Sequence, residues 1–220
     1  MADRFFGRTA ELAALDRIYA RERGGHMFVL YGRRRVGKTE LLNHWLETRK
    51  HTFVFWTADR LANTSLLRTF SQEAYKAANP GIPFGREFTY ETWDQAFGQL
   101  AGMAAHQRLV VVLDEFTYAI ESEPALPSIL QRLWDHHLKR SRILLILTGS
   151  HAGMIEREVL AYRSPLYGRA TDAINLQPLP FGTLRDFLPN ASIEERILVY
   201  GCVGGHSVVS GGSRSECLAY

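Results

Sequence analysis

Cysteine is nearly absent. Cys202 and Cys217 are the two in 220 residues, and both lie close to the end. That count excludes a disulfide framework and a zinc knuckle, and makes a reducing compartment the expectation. Long apolar runs are also missing. No stretch approaches the roughly 18 apolar residues that a membrane-spanning helix needs. The opening Met-Ala-Asp-Arg-Phe-Phe-Gly-Arg has no apolar core of the kind a signal peptide carries. A cytoplasmic location without a membrane partner is therefore expected. Charge of one sign is scarce too: the formal net charge is +3, with 22% charged residues. Such a small bias does not by itself point to nucleic acid. No Gly-x-Gly-x-x-Gly occurs, so a dinucleotide-binding reading has no support.

What is present is a complete phosphate-binding loop, Gly32-Arg33-Arg34-Arg35-Val36-Gly37-Lys38-Thr39, leading into Glu40. The apolar, β-prone stretch Met27 to Tyr31 precedes it, and Glu40 to Leu46 has helical spacing. A loop between a buried strand and a helix is the context that gives this pattern meaning. Gly32 and Gly37 let the backbone curl so that successive N–H groups face phosphate oxygens. The following helix adds the positive end of its dipole. Lys38 supplies a point charge for the β- and γ-phosphates, and the Thr39 hydroxyl is a ligand for Mg²⁺. The arginines Arg33, Arg34 and Arg35 add local positive charge that favours an anionic ligand.

Helical spacing is read over Thr9–Arg23, with Thr9 as N-cap, and over Lys38–Arg49, Leu61–Ala78, Tyr90–Ala105 and Leu126–Lys139. A short helix is expected near His151–Glu156. Buried strands are read at His26–Tyr31, Thr52–Thr57, Leu109–Leu113 and Ile143–Leu147, and a further strand at Ala170–Leu176. Strands alternating with helices indicate a parallel sheet covered on both faces. From Phe181 the pattern turns helical, with Leu184, Phe187, Ile193, Ile197 and Tyr200 as its buried candidates. Residues 204–220 are rich in Gly and Ser, have no clear period, and are expected to be poorly ordered. The expected division is a nucleotide-binding domain over 1–180, the start of a small helical region over 181–203, and an atypical tail.

The strand at Leu109 to Leu113 runs directly into Asp114-Glu115. In open parallel sheets ligands bind at the carboxyl ends of strands, so both acids reach the edge that carries the phosphate loop. Asp114 is positioned to hold Mg²⁺, and Glu115 to polarise an attacking water. A solvated acidic turn is the bland alternative. The next strand ends in Thr148-Gly149-Ser150. Ser150, or failing it Thr148, can orient water and sense the γ-phosphate; capping the next helix is the competing role for Ser150. His136-His137 are adjacent on a helix and point about 100° apart, so they do not chelate one metal. Trp45, Trp56, Trp93 and Trp134 sit in apolar segments and read as packing residues.

These segments resemble the prokaryotic archaeal-type ATPases, P-loop proteins related to the STAND and AAA-like groups. The resemblance is carried by Phe6-Gly7-Arg8 with Glu11-Leu12, the phosphate loop, Leu113-Asp114-Glu115-Phe116, Thr148-Gly149-Ser150, and Ser164-Pro165-Leu166-Tyr167-Gly168-Arg169. It implies a three-layer α/β/α core with a mainly parallel five-stranded sheet in the order 5-1-4-3-2, and Glu115 as catalytic base. It implies that Phe6, Gly7 and Arg8 lie near an adenine pocket, and that Arg169 is either a phosphate sensor or structural. ATP rather than GTP rests on this resemblance alone, as does a nucleic-acid partner. Family members usually carry Gly-Gly-x-Pro-x-Tyr and then a winged helix. Here Gly204-Gly205 is followed by His206-Ser207-Val208-Val209, and a truncated or frame-disrupted member is the expectation. The function expected is Mg²⁺-dependent ATP hydrolysis that drives a conformational switch or motor. The alternative is a nucleotide-binding switch or scaffold, acting as a homo-oligomer or with a partner protein, with little turnover of its own. A small-molecule phosphotransferase fits less well, since a water-activating acid beside the γ-phosphate would waste nucleotide.

Overall fold

A computed structural model of the protein describes residues 5–203, apart from 22 and 61. The expected tail at 204–220, with its Gly204-Gly205 element, lies outside the described residues. The strands are β1 (His26–Tyr31), β2 (Phe53–Thr57), β3 (Leu109–Asp114), β4 (Ile143–Gly149) and β5 (Asp172–Asn175). They form one sheet in the order β2-β3-β4-β1-β5, every pair parallel. This is the expected order read from the other edge.

The period-two alternation of side chains divides the core into two layers. Phe28, Leu30, Val110, Val112, Leu144 and Ile146 face one side, where they pack with Leu15, Ile18, Leu41, Leu42, Trp45 and Leu46. Those partners come from α1 (Thr9–Tyr19) and α2 (Lys38–Arg49). Met27, Val29, Leu109, Val111, Leu113, Leu145 and Leu147 face the other side. There they meet α3 (Asn63–Ala78), α4 (Trp93–His106), α5 (Phe116–Ser122) and α6 (Leu126–His136). With both faces buried, β1, β3 and β4 read as continuous apolar runs, as parallel strands do, while the edge strands β2 and β5 are partly exposed. All four tryptophans are buried, in keeping with a packing role.

Several local expectations are corrected. Thr9 is the first residue of α1 and not its cap; Arg8 holds the cap position in a left-handed conformation at φ 63°, because its side chain is drawn to the phosphate loop. The helix stops at Tyr19 and not Arg23: the Arg108 guanidinium donates to the carbonyls of Ile18 and Gly24, which ends the run. Thr92 caps α4 by accepting from the Gln95 N–H, so that helix starts at Trp93. The helix α5 lies directly after Asp114-Glu115, in a span with no helical reading from sequence. After β4 come α7 (Ala152–Ile155) and one π-helical turn, Glu156–Leu160.

Beyond Pro180 a 3₁₀ turn leads into α8 (Leu184–Phe187) and α9 (Ile193–Val203). Ile193 and Ile197 are exposed, contrary to expectation. The helix is anchored by polar contacts instead: the Tyr200 hydroxyl donates to the Leu179 carbonyl, and Arg196 donates to those of Leu188 and Pro189. Among the described residues no helix is long and apolar enough to cross a membrane.

Candidate nucleotide site

Three neighbouring strands, β3, β4 and β1, end at one edge and bring the singled-out motifs together. Their register sets Leu113 beside Leu147, Leu30 beside Thr148 and Tyr31 beside Gly149. The phosphate loop leaves β1 at Tyr31. Gly32 has φ 149°, and a Cβ there would lie 2.4 Å from the Leu176 carbonyl oxygen. Only glycine fits that turn. Val36 is wholly buried in the layer shared with α1 and α2, pinning the middle of the loop to the core. Gly37, at φ 89°, then lets α2 begin at Lys38. Arg33, Arg34, Arg35, Thr39 and Glu40 lie on the exposed side of the loop and first turn.

Lys38 is buried, and its ammonium donates to the carbonyls of Gly32 at 3.1 Å and Arg33 at 3.0 Å, and to the Ser150 hydroxyl at 3.0 Å. Burial draws its pKa below the usual lysine value, while the nearby Glu115 and Asp114 carboxylates work against that shift. Ser150 passes the contact on: its hydroxyl donates to Glu115 Oε1, and its N–H to Oε2 at 3.2 Å. No side chain caps α7, so the capping alternative for Ser150 is not realised. Glu115 itself sits at φ 52°, a left-handed conformation unusual for a residue with a side chain. Backbone strain of this kind collects where a side chain must be aimed.

Asp114 is almost wholly buried and accepts at both oxygens, from Thr39 at 2.9 Å and from Thr148. Burial raises its pKa above the ordinary carboxylate value, and the two hydroxyl donors oppose the rise. The Thr148 hydroxyl also accepts from the Glu115 N–H at 3.1 Å, so one residue of β4 positions both acids. The Thr39 and Asp114 oxygens form a hard-donor pair of the sort Mg²⁺ takes together with phosphate and water. Among the described residues no cluster of three or more His, Cys, Asp or Glu could hold a metal ion unaided.

The amino-terminal motif folds back onto this site. Arg8 is buried, donating to the Val36 carbonyl at 2.8 Å and pairing with Glu11 at 3.0 Å. Phe6 packs at 4.8 Å against Phe187, and a Cβ at Gly7 would meet Leu179 and Thr183. Phe6 and Gly7 therefore bridge the loop side of the sheet to the segment after β5. Arg169 donates to Asp135 of α6 and to the carbonyls of Pro165 and Tyr167. Those bonds describe the structural member of its two expected roles. Tyr118 of α5 is a site residue that sequence reasoning missed. Its hydroxyl accepts from Arg34, and the Arg60 guanidinium lies 4.9 Å from its ring centroid.

Known proteins share this fold. A family described as an ATPase domain predominantly from Archaea matches residues 5–208. An uncharacterized protein of Methanocaldococcus jannaschii is 35% identical over 201 residues, which is 91% of this chain and 42% of that protein. The Walker-type ATPase PABY2304 of Pyrococcus abyssi is similar in structure, with a TM-score of 0.66, 20% identity, and 91% of this chain and 63% of that one covered. The Cdc6p protein of Pyrobaculum aerophilum gives a TM-score of 0.60 at 23% identity, over 85% of this chain and 49% of its own. The chain thus spans under two thirds of the length of each. By a match that spans well over half of its length, the chain belongs to the family of ATPase domains found predominantly in Archaea.

Proposed function

We propose that the chain binds ATP with Mg²⁺ at the edge formed by Gly32–Thr39, Asp114 and Ser150, and hydrolyses it with Glu115 as general base. The observation that carries this reading is the continuous path Lys38–Ser150–Glu115 beside the Thr39–Asp114 pair. The loop N–H groups and the Lys38 ammonium take the β- and γ-phosphates, Lys38 leaving the carbonyls of Gly32 and Arg33. Thr39 and Asp114 would hold Mg²⁺, which would supply charge neutralisation at the phosphates. Glu115 accepts the proton as a water oxygen bonds to the γ-phosphorus, and the bond to the β-bridging oxygen breaks to leave ADP. Ser150 reports the exchange, since its hydroxyl joins the ammonium that binds phosphate to the carboxylate that activates water. Phe6 and Arg8 border the nucleotide on the side of α1.

A second reading has its own support. Both oxygens of Glu115 are held by Ser150, an arrangement suited to a nucleotide switch that waits for a partner or a further domain to free its base. ATP binding and phosphate release, measured with and without Mg²⁺ on the chain and its Lys38→Ala variant, test both. Unimpaired ATP binding by Lys38→Ala overturns the site. Tight binding and ATP-dependent self-association without phosphate release select the switch.

A further inference from the structure

The opposite edge of the sheet carries a second concentration of positive charge. Arg108 directly precedes β3, Arg142 directly precedes β4, and Arg23 lies three residues before β1. Because the sheet is parallel, these neighbouring strands begin side by side, and the arginines converge. With Arg140, Tyr19 and Gly24 they line a cavity of about 610 Å³. Its distance from the phosphate loop is the length of β1, six residues or roughly 20 Å. One ligand cannot serve both places.

The cavity has a rigid wall and three available cations. Arg108 is fixed by its bonds to the Ile18 and Gly24 carbonyls and lies 5.6 Å from the Tyr19 ring centroid. Among the described residues the side chains of Arg23, Arg140 and Arg142 enter no hydrogen bond or ion pair, and no acid lines the cavity. The guanidinium groups of Arg23, Arg140 and Arg142 around one space repel one another unless an anion joins them. His26, next to the cavity, registers the field: burial first, then Arg108 and Arg21, lower its pKa.

We infer that this cavity is a second anion site, which takes a small molecule carrying two or more adjacent phosphate groups. Its volume falls in the range of small-molecule pockets, roughly 300–1,000 Å³, and guanidinium forks match phosphate oxygens in pairs. Single-stranded nucleic acid fits less well, since it needs aromatic faces on which bases can stack. The one ring here, Tyr19, is already stacked on His51 at 3.8 Å and carries Arg108 over it.

The test uses the chain with Lys38→Ala, so that the phosphate loop is disabled and the outcome is independent of the ATPase reading. Calorimetric titration with inorganic tripolyphosphate should show one molecule bound per chain. Adding Arg140→Ala and Arg142→Ala should weaken that binding at least roughly tenfold. Both side chains are exposed, so the thermal midpoint should hold. Tighter binding of ATP than of tripolyphosphate in this background would make the ligand a nucleotide; equal binding would make it a phosphate chain alone. No binding to the Lys38→Ala chain, or an affinity indifferent to the arginine substitutions, overturns the site. Arginine-dependent binding of a 20-nucleotide single strand without tripolyphosphate binding also overturns it, in favour of nucleic acid.

Discussion

The Ser150 hydroxyl and backbone N–H grip the two oxygens of the Glu115 carboxylate. These bonds aim the carboxylate, and each oxygen keeps a further lone pair with which it can accept a proton. Glu115→Gln keeps the shape and removes the basicity. ATP binding should stay within about threefold while phosphate release falls by roughly 10²–10⁴. Turnover unchanged in Glu115→Gln would remove the base assignment. In Ser150→Ala, release should fall with little change in affinity, since the Lys38 ammonium and the loop N–H groups remain to take the phosphates.

Asp114 should make the ligand-free fold sensitive to pH. Its folded pKa is raised above the ordinary 3.8 by burial, so the folded state holds the proton more tightly than the unfolded chain does. Its contribution to stability is fully present below that ordinary value and is lost as pH rises through the folded value. At neutral pH the buried charge therefore costs stability. Asp114→Asn should raise the thermal midpoint of the ligand-free chain by roughly 2–4 °C, equivalent to about 1 kcal/mol. Mg²⁺-dependent nucleotide binding should weaken in the same variant. A lowered midpoint at pH 7 would contradict the assignment.

Gly32→Ala should damage fold and site together. The added Cβ would sit 2.4 Å from a backbone oxygen of Leu176, at a φ that side chains rarely adopt. A loss of about 3 kcal/mol is expected, or roughly 6–12 °C in a domain of this size. Gly182→Ala, where no atom lies within 4 Å of the new Cβ, is the control and should melt near the parent.

Arg8→Lys tests whether the amino-terminal motif supports the loop. Lysine keeps the charge but lacks the fork that reaches Glu11 and the Val36 carbonyl at once. The expected result is a KM for ATP raised roughly three- to tenfold with kcat nearly unchanged. A fall in kcat alone would place Arg8 in the chemical step instead.

Most of the fold was legible because the central strands β1, β3 and β4 are buried on both faces and read as unbroken apolar runs ended by Gly or polar residues. The site was legible where chemistry restricts residue choice, at Gly32, Lys38, Asp114 and Glu115. What escaped depends on distant partners. The end of α1 is set by Arg108, some ninety residues away, and the left-handed cap at Arg8 by the carbonyl of Val36. Tyr118 gave no signal, because a tyrosine in a seven-residue helix looks the same whether or not an arginine reaches it. Ile193 and Ile197 were misread because helical spacing identifies an apolar stripe and cannot say whether a neighbour covers it.

The position of β4 between β1 and β3 makes the sheet a ruler. Phosphate loop and acid pair stand two strand spacings apart, roughly 9–10 Å, and hydrogen-bonded backbone keeps that interval constant. Ser150 and Thr148 occupy the midpoint, so a ligand that pulls on either end is measured against a fixed scale. Any variant that shifts β4 by one residue would change the reading even with the phosphate loop, Asp114 and Glu115 unaltered.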